Sequence, residues 1–250
     1  MKTIKDIYYT SDNRPRQSLD VHLPESATGF PTFVFFHGGG LEQGSKDRSH
    51  IFVDYATEHG VAVICANYRL YPEAVYPDFI RDAAAAVAWA HKHMPEYGGD
   101  GRIFVGGSSA GGYLSMMLCF DKKYLAPHRL HPAKLSGFIH MAGQPTTHFN
   151  VLRERGLDSR RVIIDEAAPI YYIGTEPEYA PMMFLVSDND MKNRLEQTML
   201  AVSTLRHFGY DESKFECHVM KGTHCQYEGF RDENGDSLFG KMLVDFMAKH

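Results

Sequence analysis

The chain has 250 residues, of which 44% are hydrophobic and 23% charged, with a formal net charge of -5. That length can bury a large core and suits one large α/β domain at least as well as two small ones, while the ordinary composition argues against a disordered or low-complexity chain. The acidic balance and the lack of a Lys/Arg run exclude the electrostatic footprint of nucleic-acid or anionic-membrane binding, and no stretch of about 18 apolar residues is present to span a bilayer.

The leading segment IKDIYYT is too short and too polar for a signal-peptide core. Residues 6–10 and Ser18–Leu23 are short alternating runs around Asp12-Asn13-Arg14-Pro15, which predicts an antiparallel edge pair. Residues 32–36 and 61–66 are unbroken apolar runs, the pattern of strands buried on both faces of a sheet. NYRLYPEAVYP, residues 67–77, is punctuated by Pro72 and Pro77 and reads as an irregular loop. Asp78–His93 is Ala-rich with apolar residues at helical spacing; Asp78 is expected to cap its start and Pro95 to stop it.

Further strands are predicted at 102–105, 135–142, 182–186 and Phe215–Met220, and further helices at Ala110–Phe120, 194–208 and 236–249. Strands alternating with helices predict an α/β fold with a mostly parallel central sheet of about eight strands and helices on both faces. In such sheets the site lies at the carboxyl ends of the strands. Residues 143–180 are polar, aromatic and weakly periodic, and are expected to form a small cap insertion over the site within a single domain, 1–250. The four cysteines, Cys65, Cys119, Cys217 and Cys225, are scattered without a C-x-x-C pair. No metal site is expected from them; free thiols and a reducing, cytoplasmic setting are.

Two glycine loops follow strands. His37-Gly38-Gly39-Gly40 could aim backbone N–H groups at a phosphate or at the oxyanion of a reacting ester. Gly39 to Gly44 has the glycine spacing of a phosphate loop, but Ser45 stands where the lysine is needed, and Lys46 is followed by Asp47, which would repel phosphate. Lys46 is therefore expected to be dispensable for activity.

The second loop, Gly107-Ser108-Ser109-Ala110-Gly111, matches G-x-S-x-G between a predicted strand and a predicted helix. A turn that tight strains its central residue and demands small neighbours. It would lift the Ser109 hydroxyl out of the sheet at a helix N-terminus, with the Ala110 amide facing any developing negative charge. A serine nucleophile needs a second source of donors, and Gly38 and Gly39 are the candidates, with no Cβ to obstruct the substrate oxygen. His37 is expected to brace that loop. Ser108 is expected to tolerate alanine far better than Ser109.

A serine hydroxyl needs a histidine to take its proton, and the histidine needs a carboxylate. His207 falls inside a predicted helix and His218 inside a predicted strand. His224, in Lys221-Gly222-Thr223-His224, lies just past the last strand at the expected site edge. For the acid, Ser187-Asp188-Asn189-Asp190 offers two aspartates. Asp190 is favoured because the acid must clear the strand end; Asp188 is the alternative, and the one left over would serve as a turn or capping carboxylate. His148, Phe149, Arg153, Tyr171 and Tyr172, in the cap segment, are candidate pocket walls or cap core. Met116, Met117, Leu118 and Phe120 read as helix core.

With these residues in hand, the chain resembles the α/β-hydrolases, in particular the hormone-sensitive-lipase-like esterases. HGGG at 37–40, the Y-R-L-x-P-E segment within 67–77 and GGSSAGG at 106–112 carry the likeness, which runs from about Phe33 to His224 in the right order. Asp190 falls at the acid position of that group's G-x-x-D pattern, with Ser187 in place of the usual glycine. The short N-terminal region, without the group's cap helices, is similar to bacterial acetyl-xylan and feruloyl esterases and to arylformamidases. The resemblance implies hydrolysis of short-chain acyl esters, including acetylated or feruloylated carbohydrate, with no cofactor and no metal. The expected partner is a small-molecule or carbohydrate ester rather than nucleic acid or membrane; a homodimer is compatible with the sequence. An amidase, peptidase or arylformamidase using the same residues is the alternative reading.

Overall fold

The computed structural model describes residues 1–25, 28–48 and 50–250. β1 (Lys2–Tyr8) and β2 (Ser18–Leu23) pair antiparallel, and β2 runs antiparallel to β4 (Ala62–Ala66). β3 (Phe30–Phe36), β5 (Gly99–Ser108), β6 (Gly137–Met141), β7 (Met182–Ser187) and β8 (Phe215–Met220) complete the sheet. The order is β1-β2-β4-β3-β5-β6-β7-β8, and every pairing beyond β4 is parallel.

Side-chain alternation along each central strand divides the core into two layers. Val34 and Phe36 of β3 face α2 (Asp78–His93), α3 (Ala110–Phe120) and α5 (Arg194–His207). Phe33 and Phe35 face α1 (Ile51–Glu58) and α6 (Leu238–Lys249). Both sets are buried, and each aromatic side chain removed from water stabilises the fold by roughly 1.5–3 kcal/mol. Double-sided burial is why β3 reads FPTFVFF rather than as an alternating strand. Met116, Met117, Leu118 and Phe120 all lie in the first layer.

Several elements differ from the sequence reading. β1 starts at Lys2, its pairing with β2 interrupted by an irregularity between Ile4 and Ile7 where Asp6 turns to φ 58. The unpredicted helix α1, IFVDYATE, is rich in β-branched and aromatic residues; it is helical because Phe52, Val53 and Ala56 pack onto the second core layer, tertiary burial overriding weak propensity. Within 143–180 the chain forms α4 (Phe149–Glu154). Asp78 does not cap α2: the N-cap is Pro77, and the Asp78 carboxylate turns to Arg81, 3.3 Å away. It still complements the helix dipole from the first turn. All four cysteines are free; Cys65 and Cys119 are buried, Cys217 and Cys225 partly so. Among the described residues no helix is long and apolar enough to cross a membrane.

Candidate active site

The carboxyl ends of β3, β5, β7 and β8 converge on one region. β5 runs into α3 through Ser109, whose backbone sits at φ 54, ψ -108, a conformation that costs a non-glycine residue on the order of 1–3 kcal/mol. The surroundings hold it there: Ser109 N–H donates to Met141 O at 2.7 Å. The strand and helix also approach too closely for side chains. A Cβ on Gly111 would lie 1.9 Å from Phe36 O, and one on Gly107 would lie 2.5 Å from the Gly111 carbonyl carbon.

Opposite Ser109 stands His224, on the loop after β8. Its Nε2 lies 2.8 Å from Ser109 Oγ, and its Nδ1 lies 2.5 Å from Asp190 Oδ1. The Asp190 side chain is fully buried, that of His224 partly exposed. Asp190 also accepts from Ser187 N–H at 3.1 Å and Met191 N–H at 2.7 Å. Burial works to raise its pKa, but the His224 hydrogen bond and charge together with these backbone donors outweigh it and hold the carboxyl below its ordinary value. An ionised carboxylate only accepts, so Nδ1 must carry the proton, which leaves Nε2 with a lone pair for the Ser109 hydroxyl.

Asp188, the alternative acid, faces the other way. Its Oδ1 accepts from Gly222 N–H at 3.0 Å and its Oδ2 meets Lys221 Nζ at 2.8 Å, while Ser187 Oγ donates to Thr223 O at 2.7 Å. These bonds tie the β7 end to the loop bearing His224. His207 remains in the last turn of α5, and His218 in β8 pairs with Glu216 at 2.9 Å.

The first glycine loop wraps against the strand-to-helix turn, with the Cβ position of Gly38 3.3 Å from Ser109 Cβ. Among the described residues the N–H groups of Gly38 and Gly39 find no backbone or side-chain acceptor, and Ala110 is the first residue of α3, where an N–H has no partner within the helix. His37 braces this loop. Its Nδ1 donates to Gly38 O at 2.7 Å, its Nε2 lies 3.3 Å from Arg16 Nη2, and its ring stacks on Tyr68 with centroids 4.5 Å apart. Burial is the main reason its pKa falls to about 4, so the ring stays neutral with Nε2 accepting from the guanidinium.

Lys46 points away from these groups. Its ammonium is buried among Asp20 at 2.7 Å, Asp6 at 2.8 Å and Asp47 at 3.2 Å, a structural cation with no free donor geometry for a phosphate. Lys46 does not line the cavity over Ser109, and its pairs tie together β1, β2 and the glycine loop, so its part in the structure is in the fold.

A cavity of about 860 Å³ opens over Ser109 and His224, lined also by Gly38, Gly39, Phe149 and Met191. Of the five candidate wall residues in 143–180, Phe149 lines it. Arg153 lies over the Phe149 ring and pairs with Glu42 at 2.6 Å, His148 is buried as the N-cap of α4, and Tyr171 and Tyr172 do not reach the cavity.

Three contributors were not visible in the sequence. Arg16, in the turn between β1 and β2, clamps the glycine loop through Gly44 O at 3.0 Å as well as His37, and nothing local to it signals this. Ser108 Oγ donates to the buried Glu228 carboxylate, which also faces His50 Nδ1 at 3.5 Å. A polar residue at the x position before Ser109 was the one local signal that a partner packs against the turn. Cys225 places its Sγ 3.8 Å from His224 Nε2, but burial pushes the thiol up to about 12, so it stays protonated and inert.

Against known proteins, the family model described as alpha/beta hydrolase fold matches residues 33–206. A probable isoprenylcysteine alpha-carbonyl methylesterase of Arabidopsis thaliana is 33% identical over 105 residues, 41% of this chain and 22% of that protein. Carboxylic ester hydrolase LipN of Mycobacterium tuberculosis is 39% identical over 101 residues, 39% of this chain and 27% of that protein. The matched stretch thus spans about a quarter of each curated relative's length. Among solved structures, a truncated form of a carbohydrate esterase from gut microbiota superimposes with a TM-score of 0.80 at 18% identity, covering 100% of this chain and 96% of that one. Sheet order, the strand-to-helix turn at Ser109 and a family match over most of its length agree: the chain belongs to the alpha/beta hydrolase fold family.

Proposed function

We propose that the protein is a serine carboxylesterase acting on short-chain acyl esters, with acetylated or feruloylated carbohydrate among its substrates. The observation that carries this is the continuous hydrogen-bonded line from Ser109 Oγ through His224 to Asp190, beside Gly38 and Gly39 N–H groups that find no acceptor among the described residues. His224 Nε2 takes the Ser109 proton as Oγ attacks the carbonyl carbon, and Asp190 stabilises the imidazolium. The amides of Gly38, Gly39 and Ala110 hold the tetrahedral oxyanion, each donor contributing on the order of 10²–10³ in rate. Collapse expels the alcohol, which leaves with the proton from His224, and water delivered through the same imidazole clears the acyl-enzyme. Residues 143–180 act as a cap, Phe149 supplying one wall of the cavity over the serine.

The ester hydrolases among the relatives support the reaction class, and the gut carbohydrate esterase supports the carbohydrate substrates. Ser109→Ala should abolish p-nitrophenyl acetate hydrolysis and fluorophosphonate labelling while leaving the circular-dichroism spectrum intact. Near wild-type turnover in that variant would sink the assignment.

A further inference from the structure

A second cavity, of about 570 Å³, adjoins the one over Ser109; Phe149 and Met191 wall both. Its lining contains four cations, Arg160, Arg161, Lys192 and Arg194, and no carboxylate, in a chain whose overall formal charge is -5. One member of this group is not a mobile surface side chain. Arg194 is only 5% exposed, its guanidinium fixed by Ala142 O and, at 3.4 Å, by Gln144 Oε1. Gln144 is itself buried and held through Thr147 O at 2.9 Å. Among the described residues Arg194 makes no ion pair, and a guanidinium withdrawn from water without a counter-charge is costly unless something anionic compensates it.

The acids nearby are committed elsewhere. Asp190 belongs to His224, and Asp158 pairs with Arg160 at 2.5 Å while also lying within electrostatic reach of Arg161. Lys192 and Arg161, both in the lining, are exposed and, like Arg194, form no ion pair among the described residues. A pre-positioned buried guanidinium with two free cations at the rim is the donor set that planar, multiply bonding anions select.

We propose that the ester substrate of this site carries an anionic oxygen group, a carboxylate or a phosphate, which sits against Arg194, Arg161 and Lys192 while the ester lies over Ser109. This rests on the esterase reading of Ser109. The neutral esters that the triad alone would accept then become poorer substrates than their charged counterparts, because the cations anchor one end and so orient the carbonyl at the other.

Hydrolysis of 4-acetoxybenzoate, of 4-acetoxyphenyl phosphate and of neutral methyl 4-acetoxybenzoate, each corrected for its rate in buffer alone, tests this. The wild-type kcat/KM for an anionic ester should exceed that for the neutral one by about tenfold at low salt, narrowing at high salt as the rim charges are screened. Arg161→Gln with Lys192→Gln, both at exposed positions, should bring the ratio close to one. Whichever anion shows the larger ratio identifies the source. A wild-type ratio at or below one, or a ratio unmoved by the double variant, overturns the inference and leaves the esterase reading standing. Calorimetric titration of 4-acetoxybenzoate into Ser109→Ala reads binding without turnover. Binding that weakens when the two glutamines are added supports the anion site even if no ester is cleaved, and binding indifferent to them overturns it.

Discussion

Ser109 and His224 lie 115 residues apart in the chain and meet at 2.8 Å, and the carboxylate behind the imidazole is Asp190 and not Asp188. Asp190→Asn keeps the shape but cannot favour the needed tautomer, so kcat for p-nitrophenyl acetate should fall by about 10⁴. Asp188→Asn loses the Lys221 pair but retains an acceptor for Gly222 N–H, and should change kcat by less than about tenfold. Equal losses from the two substitutions would remove the distinction.

Gly111→Ala should be severely destabilising although it adds one methyl group. The new carbon would sit 1.9 Å from a backbone oxygen of β3, which cannot move without breaking its ladder. A loss of about 3 kcal/mol in urea-melt stability is expected.

The fold should weaken in mild acid. Burial lowers His37 to about 4 and His140 to about 3, while both titrate near 6.5 once unfolded. Below pH 6.5 the unfolded chain therefore binds protons that the native rings refuse, and stability falls with falling pH until their folded pKa values are reached. Each ring should contribute about 2 kcal/mol of lost stability between pH 7 and pH 5. His140→Gln, which keeps a polar partner for Ser115, should flatten the pH dependence of urea-melt midpoints by about that amount. An unchanged slope would contradict it.

Lys46→Met leaves Asp20, 3% exposed, without its counter-ion. Breaking one side of a buried pair costs about 3 kcal/mol, to be read as a lowered Tm, whereas KM for neutral esters in the surviving folded protein should hold.

Ser108→Ala removes the hydroxyl that donates to the buried Glu228 carboxylate. The expected cost is about 1–3 kcal/mol in stability, with kcat retained within about tenfold. The sequence reading, that Ser108 tolerates alanine far better than Ser109, concerns turnover; the bond to Glu228 adds an expected cost in stability.

The sheet was legible because its central strands are buried on both faces and so spell continuous apolar runs, and Ser109 was legible because a tight strand-to-helix turn admits only small neighbours. His224 followed from its position just past β8. What escaped depends on contacts distant in the chain. Helix α1 forms because Phe52 meets Phe35 and Phe239, not because its own residues favour a helix. Arg16 reaches the glycine loop across 21 residues to His37, and Glu228 meets Ser108 across 120. Such pairings have no local spacing rule. Asp78 is a local miss of another kind: it is the first residue inside α2 and not its N-cap, and its carboxylate bonds Arg81 one turn on.

The loop carrying His224 is moored at both ends, through Asp188 and Ser187 on one flank and through Glu228 to Ser108 on the other. In the proposed reaction the imidazole would thus start from the line it already holds to Ser109 and Asp190. Preorganisation of that kind is set by bonds made during folding, not by contacts with the substrate.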